Sequence, residues 1–136
     1  MWKSILRTAR SLAAVVLGYA LIVALTTLAF TVWLGGVSYR HSSREVLALA
    51  ALSAVASGLA GGYAAARAAG RAPLLHAAGV VCLLITETTL LLLRRPGKDP
   101  LWYDLIGAAT LMGACLLGGW LEAWREQKRA APPRLA

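Results

Sequence analysis

Four long apolar runs limit what this chain can become. They cover residues 11–34, 46–66, 74–93 and 101–121. At ~1.5 Å of rise per residue, each crosses the hydrocarbon core of a bilayer as a single helix. The runs are nearly continuous and lack the period-two alternation of a membrane barrel, which excludes a sheet. A chain of 136 residues leaves room only for short connections between them. Short connections make consecutive helices antiparallel neighbours. The expected fold is all-α: an integral membrane four-helix bundle, up-down-up-down, in one transmembrane domain over residues 1–136 with a basic tail at 122–136.

Composition supports lipid rather than water as the solvent. Hydrophobic residues make up 59% of the chain, against ~45–50% in soluble domains. A soluble fold this small has too much surface to hide that material. The net charge of +8 raises nucleic acid as a partner. However, the basic residues lie in short clusters between the apolar runs, not on one stripe interleaved with aromatics. The expected partner is therefore the lipid bilayer, with no nucleic acid.

The first run follows Lys3, Arg7 and Arg10, as a secretory leader would. It is too long for a leader's apolar core and no A-x-A site follows, so it reads as a retained helix. Gly70 suits a helix end and Pro73 the first turn of the third helix. Asp99-Pro100 reads as an N-cap and a first-turn proline for the fourth.

Basic residues set an expected orientation. Nine lie at the N-terminus, in the second connection and in the tail: Lys3, Arg7, Arg10, Arg67, Arg71, Arg125, Lys128, Arg129 and Arg134. Five lie in the first and third connections: Arg40, Arg44, Arg94, Arg95 and Lys98. The positive-inside rule then places both termini in the cytoplasm. Trp33, Tyr39, Trp102 and Tyr103 would mark the outer interface, and Trp2, Trp120 and Trp124 the inner one. The localisation implied is a cell membrane, multi-pass, of the bacterial inner-membrane type.

Glu87 is the costly residue. It interrupts a span holding eleven Leu, Ile or Val residues. These contribute roughly −3 to −6 kcal/mol to insertion, against about +2.5 to +3.5 kcal/mol for a central acid, so insertion wins. An intramembrane carboxyl needs a partner or has a job. Counted from the inner edge, Glu87 lies about 21 Å up and Thr26 and Thr27 about 23 Å. Counted down from outside, Ser53 and Thr110 reach roughly 17–20 Å. The candidate intramembrane polar site is therefore Glu87, Thr26, Thr27, Ser53 and Thr110, one layer fed by all four helices. It serves either as a proton- or cation-linked site or as interhelical hydrogen bonding that sets packing, the second being the favoured role.

The second helix carries two small-residue ridges. One is Ala50, Ala54, Gly58, Gly62 and Ala66; the other is Ser53, Ser57, Gly61, Ala65 and Ala69. Ser57, Gly58, Gly61 and Gly62 are the expected helix-packing residues, within the chain or between copies. Gly107, Gly113, Gly118 and Gly119 make the fourth helix its expected partner. His76, just after Pro73, reads as an interfacial histidine bonded to headgroup or backbone.

Cys82 and Cys115 are single residues in apolar segments and read as small core residues. The sequence lacks zinc-ligand spacing, a nucleophile–base pair and a phosphate-binding glycine loop. No metal, cofactor, catalytic residue or enzymatic activity is expected.

Gly61-Gly62-Tyr63-Ala64-Ala65-Ala66-Arg67, followed by His76, resembles small uncharacterised four-helix bacterial membrane proteins with a G-G-aromatic-x-A-x-R segment. Pro100-Leu101-Trp102-Tyr103 and Gly118-Gly119 are similar to that group as well. The resemblance covers about half the chain and implies a four-helix inner-membrane protein without implying an activity. Small multidrug-resistance transporters carry their essential carboxylate in the first helix, where this chain has none. Disulfide-handling four-helix proteins need paired surface cysteines, which Cys82 and Cys115 are not. The expected function is a structural or accessory membrane protein that packs with itself or with a larger membrane complex. The alternative is a small proton- or cation-linked transporter or channel using Glu87.

Overall fold

A computed structural model describes the backbone of residues 2–94 and 99–130, with side chains from residue 5 onward. Arg95, Lys98 and Arg134, and the side chains of Trp2 and Lys3, lie outside the described residues. The described chain is all-helical. Helix α1 spans Trp2–Thr27 and runs into a π-helical segment, Leu28–Trp33. Helices α2, α3 and α4 span Arg44–Ala69, Pro73–Arg94 and Leu101–Ala130. Each of the four helices is long and apolar enough to cross a membrane.

The ends of the helices have local causes. Ser43 caps α2 by accepting from the Val46 N–H at 3.3 Å. Gly70 ends α2 at φ 66°, a left-handed conformation that glycine adopts without a Cβ clash. Pro73 opens α3, where its missing N–H is no loss. The α4 start differs from expectation. The Asp99 carboxylate accepts from Ser38 Oγ at 2.9 Å, so it ties two connections together rather than serving the helix.

Contacts between helices fix their directions. Gly18 on α1 meets Gly61 and Ala65 on α2, while Arg10 reaches Ala68, so α1 and α2 are antiparallel. Gly58 on α2 meets Leu111 on α4 and Gly62 meets Cys115, so these two run parallel. Gly119 sits against Pro73 and Ala77, which sets α4 antiparallel to α3. Helix α2 touches all three others and shares its largest interface with α4.

The small ridges explain that centrality. Every buried residue of α2 is Ala, Ser or Gly. Gly58 and Gly62 bring the α2 backbone against that of α4, and Gly61 brings it against α1 beside Ile22. Adjoining ridges thus serve two neighbours, and close backbone approach supplies the dispersion contact that hydrophobic exclusion cannot supply in lipid. Around them Ile22, Ala65, Val80, Leu84 and Cys115 form the core. Cys115 is buried and its thiol approaches the Ala77 carbonyl at 3.7 Å. Cys82, expected in the core, is exposed on the outside of the bundle.

Candidate functional site

Glu87 is half-buried on α3, three residues beyond the core residue Leu84. Its partner comes from α1. Tyr19 on that helix lies near enough to Glu87 for an electrostatic interaction between the two side chains. Tyr19 also packs on the core cluster, which holds the ring in place.

The hydroxyls of the expected layer turn elsewhere. Thr26 Oγ1 donates to the Ile22 carbonyl at 2.7 Å and approaches that of Val23 at 3.2 Å. Ser53 Oγ donates to Leu49 at 2.8 Å and Thr110 Oγ1 to Ile106 at 2.8 Å. Thr86 and Thr89, beside Glu87, donate to Cys82 and Ile85 on their own helix. This is the back-bonding that Ser and Thr make to the preceding turn. Thr27 is exposed, lines an open apolar groove along α1, and its carbonyl accepts from Thr31 Oγ1. Among the described residues, no hydrogen bond joins Glu87 to Thr26, Thr27, Ser53 or Thr110. Similar height along the membrane normal did not bring these groups together.

Ser57, Gly58, Gly61 and Gly62 are all buried within the chain. Ser57 Oγ donates to the Ser53 carbonyl at 2.7 Å, which removes its polar group from contention. The three glycines are spaces filled by neighbouring backbone or by Ile22. Gly107 and Gly113, by contrast, have nothing within 4 Å of where a side chain would start.

A second polar cluster stands at the end of the bundle where α1 begins and α4 finishes. Glu122 is only 4% exposed. Its Oε1 lies 3.7 Å from Arg67 Nη1, while its Oε2 is buried without a hydrogen-bond partner. Tyr63 OH accepts from Arg67 at 3.3 Å and from Arg125. The cluster therefore links α2 to α4 through Tyr63, Arg67, Glu122 and Arg125. The sequence reading assigned the arginines to topology and Glu122 to the tail. The available signal was spacing: Glu122 falls one turn beyond Gly118-Gly119, on the face those glycines bury.

His76 is also buried, at 5% exposure. Its Nδ1 lies 3.0 Å from the Ala72 carbonyl, and because a carbonyl only accepts, that nitrogen carries the proton. On the opposite end, Tyr39 packs edge-on to Trp102 at 4.9 Å and beside Tyr103 at 5.3 Å. Near the α4 end, Trp120 and Trp124 stack at 6.3 Å, with Lys128 Nζ 3.6 Å above the Trp124 ring. Among the described residues, no three His, Cys, Asp or Glu side chains gather as a metal site requires.

Comparison with family models, with curated proteins and with solved structures returns no match for this chain.

Proposed function

We propose that this chain is a small structural or accessory protein of a cell membrane, packing with itself or with a larger membrane complex. One observation carries the reading. Thr26, Ser53, Ser57, Thr86, Thr89 and Thr110 each satisfy a carbonyl of their own helix, leaving no shared polar layer around Glu87. Backbone contacts at Gly58, Gly61 and Gly62 fill the space where a conduit would run. Hydroxyls bonded within their own helices make no polar path between helices, small-residue contacts hold the helices together, and the outward faces remain for lipid or protein. The activity proposed is not enzymatic.

The same reading places both termini in the cytoplasm and the protein in a bacterial inner membrane. Support comes from the excess of Lys and Arg at the end that holds the start of α1 and the finish of α4. Resemblance to four-helix inner-membrane proteins points the same way.

A second reading, a small proton- or cation-linked transporter using Glu87, is favoured by the electrostatic interaction of Tyr19 with that carboxyl. Tyr19 also lines the open apolar groove along α1. The two readings differ in what surrounds the protein in its membrane. Extraction into polymer-bounded lipid discs without detergent, followed by native mass measurement, should give particles holding more than one protein chain. Particles holding a single copy and nothing else would remove the accessory reading.

A further inference from the structure

We propose that the groove between the start of α1 and the start of α3 binds one anionic phospholipid, its phosphate on Arg71 and its acyl chains on Leu12, Val15 and Leu75. The groove encloses about 440 Å³, a size typical of small-molecule sites. Its lining changes along its length. Ser11, Arg71 and His76 supply polar groups, and Leu12, Val15 and Leu75 supply an apolar wall. Because these helices are built to cross a bilayer, this end of them meets the headgroup layer. Basic pockets between helices at that level recognise lipid phosphates.

The polar end is held in shape before any ligand arrives. Arg71 Nη2 donates to Ser11 Oγ at 3.0 Å and to the Arg7 carbonyl at 3.3 Å. Both bonds use one nitrogen, Nη2, which leaves the N–H groups of Nε and Nη1 to donate singly to phosphate oxygens. Arg10, outside the groove lining, ties α1 to the end of α2: its Nε donates to the Ala68 carbonyl at 3.1 Å, and its Nη2 lies beside Gly70. The backbone just after Arg71 is strained, with Ala72 at φ 42°. Its carbonyl accepts from the N–H groups of Leu75 and His76 and from His76 Nδ1, which holds the strained turn in place. Strain persists only where surrounding bonds over-determine it, and ligand clamps are one such place.

The apolar wall selects a lipid over a soluble anion. Leu75 is 71% exposed and Leu12 is exposed beside it. A free phosphate has no use for such a surface, whereas an acyl chain covers it while the headgroup meets the arginine.

The test is native mass spectrometry of the full chain purified in mild detergent, with phosphatidylglycerol or phosphatidylcholine added. The wild type is expected to retain its first phosphatidylglycerol about tenfold more tightly than phosphatidylcholine, whose choline cation offsets its phosphate charge beside Arg71. Arg71→Gln is expected to bring the two within about twofold, a loss of most of that contact. Leu75→Trp, at an exposed position, obstructs the apolar wall and is expected to weaken both lipids, and it decides the matter if Arg71→Gln does not fold. Arg44→Gln removes the same charge from the opposite end and is expected to leave the preference intact. Equal retention of the two lipids by the wild type would overturn the proposal. So would indifference to Arg71→Gln and Leu75→Trp, or displacement of the lipid by inorganic phosphate.

Discussion

Arg67 and Glu122 form an ion pair whose two members sit in unequal surroundings. The Arg67 side chain is 54% exposed while that of Glu122 is 5% exposed. Removing the arginine strands a buried carboxylate, whereas removing the carboxylate leaves an arginine that water already solvates. Arg67→Gln is therefore expected to lower stability, by on the order of 1 kcal/mol after discounting for the exposed partner. Glu122→Gln keeps the shape and removes a charge with an unpartnered oxygen, and is expected to be neutral or stabilising. Thermal unfolding of both variants in one detergent checks the asymmetry; equal losses would mean the pair is worth the same from either side. Ala72 offers a separate test. A non-glycine residue in the left-handed region costs roughly 1–2 kcal/mol, so Ala72→Gly is expected to raise the unfolding midpoint despite glycine's greater chain entropy.

Helix α2 gives the clearest contrast between glycines. A Cβ at Gly62 would fall on the Cys115 carbonyl, with backbone on both sides and nowhere to move. Gly62→Ala is expected to cost roughly 3 kcal/mol, the upper range for overpacking. Gly113 is an open position on α4, so Gly113→Ala is expected to gain up to about 1 kcal/mol from helix propensity alone. Denaturant unfolding of the two variants measures the difference. The four helices themselves were legible, because hydropathy reports what must lie in hydrocarbon. It does not report where a helix stops. Helix α1 begins at Trp2, ahead of the apolar edge at Ser11, because Arg7 and Arg10 continue the helix beyond the apolar run. Helix α4 likewise carries Arg125 and Lys128 on to Ala130. The pairing at Glu87 was less legible. Rise per residue gives height but not rotation about the axis, so it did not show that Thr26, Ser53 and Thr110 turn to carbonyls of their own helices. Glu122 was hidden for a related reason: it reads as a surface charge unless the face buried by Gly118 and Gly119 is followed one turn on.

The whole bundle is organised around a helix with almost no large buried side chain. Small residues on two ridges of α2 let α1 and α4 close on it, while larger apolar side chains such as Leu52 and Leu93 face outward. With the start of α1 and the finish of α4 at one end of the bundle, orientation is testable in intact cells. On a Cys82→Ser, Cys115→Ala background, Ser43→Cys is expected to react with an impermeant maleimide from outside. Arg125→Cys is expected to react only after permeabilisation, and the reverse pattern would invert the proposed orientation. The central proposition is that small-residue contacts pack the helices and that the polar groups within the spans do not conduct. Proton flux across proteoliposomes under an imposed pH gradient tests it most directly. The predicted result is the same flux for the wild type, for Glu87→Gln and for protein-free vesicles. A wild-type flux above that of empty vesicles, abolished by Glu87→Gln, would contradict it.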